Sequence, residues 1–213
     1  GYGATLFMHG ASTRDDVVIK NISDPTPIDA SILVWNQGDA NDTNQGTFIM
    51  QDHELVLQNP IKNFKCLGLT FENTGSVSSP LIGRAIALLL AVVEDLEVKD
   101  CSFVNGFSEQ VWVVGEKGVV ANNVFRNCCH NGFAGHFEDV LITGNVMIDV
   151  QQGFEVTGRV KITNNVLRLT NPSGLFGSAG IWVSSGGGNR VRVNCCEISN
   201  NSISGYYYNS IQI

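Results

Sequence analysis

One short pattern recurs along this chain and limits what it can fold into. An apolar residue, a spacer and a second apolar residue lead into one or two Asn or Gly, after which an apolar residue returns. The copies are "VVANNVF" at 119–125, "LITGNVM" at 141–147, "KITNNVLRL" at 161–169 and "EISNNSI" at 197–203. With the apolar residue ahead of the turn as marker, they fall at Val98, Val120, Ile142, Ile162 and Ile198, in steps of 22, 22, 20 and 36. A further apolar residue stands about five positions on, at Phe103, Met147, Leu167 and Ile203. Leu67, Leu69 and Phe71 read as an earlier copy with a tighter turn. The long step holds "NPSGLFGSAG" and "SSGGGNR", so it reads as one repeat carrying an insertion at about 170–190.

Within a copy the apolar residues alternate with period two, the signature of half-buried strands. Strands this short, recurring about every 20–22 residues, do not fit helical repeats of roughly 33–47 residues or propeller blades of roughly 40–50. Three short strands per repeat, stacked so that each repeat covers the apolar face of the next, do fit. Asn suits the turns, because it tolerates the left-handed backbone and its amide can bond from one repeat to the next. The expected amide ladder is Asn123, Asn145, Asn165 and Asn201, with Cys101 substituting in one repeat.

The pattern "V-x-I-x-N-N-x-(F/I/M/L)" resembles the coils of right-handed parallel β-helix proteins of the pectin-lyase-like superfamily, over roughly residues 60–213. That resemblance implies an all-β fold, a right-handed single-stranded parallel β-helix of about 20–22 residues per coil. Residues 1–213 would form one such domain, part of a longer chain. Residues 1–59, with strand-like runs "DVVIKNI", "SILVW", "GTFIM" and "HELVLQN", read as less regular first coils. The superfamily hosts lyases, hydrolases, epimerases, tailspikes and adhesins, so the fold alone does not name an activity.

Composition removes some classes. A net charge of −7 argues against a nucleic-acid-binding face, which needs clustered Lys and Arg. The longest apolar run, Ala85 to Val93, is about half the ~20 residues of a membrane helix, so no membrane insertion is expected. The six cysteines show no Cys/His metal spacing, leaving buried thiols or a disulfide as the two readings.

Three groups of residues carry candidate chemistry. A recurring "N/Q-G-F" at 105–107, 131–133 and 152–154 aligns a second strand per repeat. It places Trp112, Ala134, Glu155, Trp182 and Gln212 in one outward column. Trp faces stack on sugar rings, and a carboxylate binds hydroxyls or catalyses, so Trp112 and Trp182 are substrate-binding candidates and Glu155 a catalytic one. Next, Glu94, Glu116 and Glu138 recur 22 residues apart beside Asp95, Lys117, Asp139 and Arg159. Stacked carboxylates splay into water, share a cation such as calcium, or share a proton. Glu116, Glu138 and Asp139 are the acid/base candidates, and Arg159 is a further substrate-binding one. Carboxylates one or two repeats apart approach the separations of retaining and inverting glycosidases. Third, His136 lies near Glu138 and Asp139 and could act as a general acid or base.

Several motifs that the resemblance would lead one to seek are missing. The Asn-Thr-Asp, Gly-His-Gly and Arg-Ile-Lys set of polygalacturonase-like enzymes survives only as "AGH" (134–136) and "GRVK" (158–161). The Trp-Ile-Asp-His of pectate lyases and the Asp-Pro-His of alginate epimerases do not occur. The expected function is therefore binding of a polysaccharide or surface glycan, with or without cleavage, in an extracellular, cell-surface or virion protein. The rival is a non-enzymatic structural or adhesive solenoid such as a phage appendage or bacterial stalk, and a homotrimer suits either.

Overall fold

A computed structural model describes residues 61–72, 88–106, 110–170, 179–183, 196–207 and 209–213. It also describes the strands Thr5–His9, Val18–Lys20, Ser31–Trp35, Thr47–Gln51 and Glu54–Gln58. All regular structure among these residues is strand. No helix among them is long and apolar enough to cross a membrane.

The repeat becomes three ladders of parallel strands within one 18-stranded sheet. The first ladder carries the markers. Cys66, Val98, Val120, Ile142, Ile162 and Ile198 face one another partner to partner. The second ladder aligns Phe71, Phe103, Phe125, Met147, Leu167 and Ile203. The third runs from Thr5–His9 through Ser31–Trp35, Leu88–Glu94 and Val111–Gly115. It continues through 133–137, 154–158, Ala179–Val183 and Asn209–Gln212. Two strands, Val124–Thr143 and Val146–Thr163, pass through all three ladders without interruption.

Alternation explains the core. In Leu96–Lys99 the residues Leu96 and Val98 are buried and Glu97 and Lys99 are not. Identical inward positions then stack rung on rung about 4.8 Å apart. The rings of Phe71, Phe103 and Phe125 lie nearly parallel, with centroids 5.1 and 4.9 Å apart. Burying each such ring contributes roughly 1.5–3 kcal/mol, and ring contact adds about 0.5–1.5.

The turns follow the sequence pattern. Between the first and second ladders one residue per rung is left-handed: Gly68, Asp100, Asn122, Gly144, Asn164 and Asn200, with φ between 56° and 67°. The next residue points inward and builds the amide ladder. Asn123 donates from both N–H and Nδ2 to Asn145 Oδ1, at 3.0 Å each. Asn145 does the same to Asn165, and Asn165 to Asn201. Each Nδ2 also reaches a carbonyl of the preceding rung, as Asn145 does to Val120 O at 3.0 Å. The Cys101 N–H donates to Asn123 Oδ1 at 2.9 Å, and the run of amides ends there.

Three alignments differ from those drawn from the sequence. Cys66, not Leu67, occupies the marker position of the earliest copy. Its turn is no tighter, because Gly68 takes the same left-handed conformation as Asn122. Thr47–Gln51 and Glu54–Gln58 pair with each other antiparallel, in a sheet apart from the ladders. Asn105 sits opposite Asn127, whose Nδ2 donates to it at 3.2 Å, and Gln110 stands against Asn131. The "N-G-F" at 105–107 is therefore a corner; its resemblance to 131–133 is local composition, not register. Phe107 and most of the expected insertion at 170–190 lie outside the described residues.

Candidate functional site

The sequence-derived candidates gather into two clusters. One is on the outer face of the third ladder. There Trp112, Ala134, Glu155, Trp182 and Gln212 partner one another in sequence. Val111 and Val113 are fully buried on the inner side of their strand, so alternation sends Trp112 outward. Glu155 stands between Phe154 and Val156, both fully buried, and so projects the same way. Trp112, Glu155 and Trp182 are all half-buried. Ala134, between Trp112 and Glu155, carries no more than a methyl and is buried.

Side-chain contacts fix this face. Asn131 Nδ2 donates to Glu155 Oε2 at 2.8 Å. The indole of Trp112 meets the imidazole of His136 edge-on, with centroids 6.3 Å apart and planes at 89°. His136 Nδ1 is 2.5 Å from Thr157 Oγ1 on the next rung. Burial pushes the His136 imidazole below its ordinary pKa, while the negative charge of Glu155 pulls it back up. The face is partly covered. Val114 is fully buried although it lies on the outer side, and the strand Glu54–Gln58 packs beside Leu88–Glu94 and Val124–Thr143.

The second cluster is the corner between the third ladder and the first. Val93, Gly115 and Phe137 are aligned, so Glu94, Glu116 and Glu138 follow at the same corner. Each has a cation. Lys62 Nζ is 3.5 Å from Glu94, Lys117 Nζ is 3.6 Å from Glu116, and Arg159 Nε is 2.9 Å from Glu138. Arg159 Nη2 also reaches Asp139 at 3.1 Å. The fork has a register cause. Phe137 faces Gly158 and Val140 faces Val160, so two residues on one rung oppose the single Arg159 on the next. Gly158, at φ 103°, permits this, since a Cβ there would stand 1.6 Å from Phe137 O. Glu138 is buried and Asp139, left-handed at φ 51°, is exposed.

No protein-family profile, curated protein or solved structure matches this chain.

The chemistry thus has to be read from the clusters themselves. Around Glu155 the adjacent rung positions are Ala134 and Trp182, so its own column holds one carboxylate with an indole on one neighbouring rung. At the corner, Glu138 and Asp139 are both engaged by one guanidinium. Among the described residues no three His, Cys, Asp or Glu side chains converge as metal ligands.

Two features were not read from the sequence. Gln110, Asn131 and Gln152 lie on consecutive rungs at the edge of the third ladder and are almost wholly buried. Gln110 Nε2, Asn131 Oδ1 and Gln152 Oε1 have no hydrogen-bond partner. The recurrence of an amide just before "G-F" was the only signal for Asn131 and Gln152, and Gln110, followed by Val111, carried none. A groove of about 540 Å³ also runs past Asp139, Leu141, Arg159, Lys161 and Glu197. Lys161 pairs with Glu197 at 2.8 Å across adjacent rungs, at the positions just before the markers Ile162 and Ile198.

Proposed function

We propose that this chain is a right-handed parallel β-helix of the pectin-lyase-like kind that binds carbohydrate on the outer face of its third ladder. Three ladders repeating at nearly constant spacing support the coil. Right-handed winding is the hand taken by about 98% of crossovers between parallel strands of one sheet. The observation that carries the binding reading is the column Trp112, Ala134, Glu155 and Trp182. Two indoles bracket Ala134 and a carboxylate held by Asn131 in that column. Sugar rings stack their C–H faces on such aromatics, and a carboxylate accepts hydroxyl hydrogen bonds.

Binding is better supported than cleavage. Hydrolysis of a glycosidic bond calls for two carboxylates flanking it, and the rung neighbours of Glu155 are not acidic. The rival, a structural or adhesive solenoid, is favoured by the pairing of Glu94, Glu116 and Glu138 with Lys62, Lys117 and Arg159, which reads as scaffold. A glycan array separates the two. Wild type should bind at least one glycan and Trp182→Ala should lose it while keeping its circular dichroism. Absence of any bound glycan for the wild type overturns the binding reading in favour of the structural one.

A further inference from the structure

We propose that Cys66 and Cys101 are a disulfide-forming pair that staples the first ladder of one rung to the amide-ladder position of the next when the chain folds in the presence of a small-molecule disulfide. The two Sγ atoms are 3.9 Å apart, in van der Waals contact, from residues 35 positions apart in the chain. Both are in the core, with Cys66 0% and Cys101 2% exposed. Cys66 occupies the marker position of its rung, and Cys101 occupies the amide-ladder position of the next. The amide ladder stops at the one step where a second cysteine lies within reach. Asn123 is the last side chain to pass hydrogen bonds along it, and Leu69 takes the equivalent place one rung further back. A covalent link at this step supplies the rung-to-rung connection that the amides supply elsewhere.

Oxidation proceeds by two exchanges. The thiolate of one cysteine displaces one glutathione thiolate from glutathione disulfide and forms a mixed disulfide. The other cysteine, losing its proton to solvent, then attacks the protein sulfur of that mixed disulfide and displaces the second. The balance is two protein thiols and one glutathione disulfide giving one protein disulfide and two glutathione molecules. Because neither sulfur is accessible once the rungs close, the exchange precedes their closure. The finished bond is shielded from reductant.

The experiment is refolding of the full chain from denaturant in a reduced and oxidised glutathione buffer, followed by non-reducing peptide mapping. The expected product is a single cross-linked species joining the Cys66 and Cys101 peptides. Its melting temperature should stand roughly 4–16 °C above that of chain refolded with excess reductant. Cys101→Asn, which extends the amide ladder by one step and removes the thiol, should fold and should melt at the same temperature in either buffer. Quantitative alkylation of both cysteines after oxidative refolding overturns the proposal. So does a map joining either of them to Cys128, Cys129, Cys195 or Cys196 instead.

Discussion

Asn145 and Asn165 are joined by two hydrogen bonds, from the N–H and the Nδ2 of one to the Oδ1 of the other, each 2.9 Å long. The acceptor oxygen of Asn145 receives the same pair from Asn123. Replacing Asn145 with Ala leaves two donors on Asn123 and the Oδ1 of Asn165 short of partners in a fully buried site. The expected loss is about 2–4 kcal/mol in urea denaturation. Asn164→Gly, at φ 57°, should change stability by less than about 1 kcal/mol, because Gly accepts that conformation.

The contrast between those neighbours shows what could be read in advance. The period of the markers places Val98, Val120, Ile142, Ile162 and Ile198, and the residues Phe103, Met147, Leu167 and Ile203 beyond the turn, in their observed ladders, because stacking repeats a local rule. The same rule carries across the unequal loop: the copies beginning at Lys161 and Glu197 align 36 residues apart and pair as the markers Ile162 and Ile198 require. The column of Trp112, Glu155 and Trp182 was readable because alternation alone decides which way a strand residue points. The burial of Val114 and of the amides of Gln110, Asn131 and Gln152 does not follow from alternation.

Arg159 bridges a buried carboxylate and an exposed one, and the two should count differently. The Glu138 side chain is 9% exposed and that of Asp139 56%. A double-mutant cycle of Arg159→Ala with Glu138→Ala should give a coupling of about 1–3 kcal/mol. The cycle with Asp139→Ala should give about 0–0.5 kcal/mol, falling further in salt. Equal couplings would mean that the fork does not follow the register shift between Phe137 and Val140.

Stability should respond to acid through His136. Burial holds its imidazole below the ordinary value, so the unfolded chain binds the proton more readily than the folded one. As pH falls through about 6.5, the unfolded state gains protons first and stability drops. The drop ends once pH lies below the depressed folded value; above about 6.5 this group gives no slope. Melting temperatures from about pH 7 to pH 5 should therefore fall more steeply for wild type than for His136→Gln. An NMR titration of the His136 ring should place its midpoint below about 6.5.

Glu155 is where the binding reading meets a single atom. Its Oε2 is held by Asn131, leaving Oε1 to a ligand hydroxyl between the indoles of Trp112 and Trp182. Glu155→Gln preserves shape and removes charge, so hydrogen bonds to hydroxyls weaken without opening the face. For a neutral glycan identified on the array, calorimetry should show affinity falling about 10–100-fold in Glu155→Gln. Binding by the wild type should be nearly independent of salt, because the bound sugar brings no charge. Trp182→Phe, which keeps an aromatic face, should retain most of the affinity that Trp182→Ala loses. Unchanged affinity in Glu155→Gln would move the bound glycan off this column and toward the groove lined by Arg159 and Lys161.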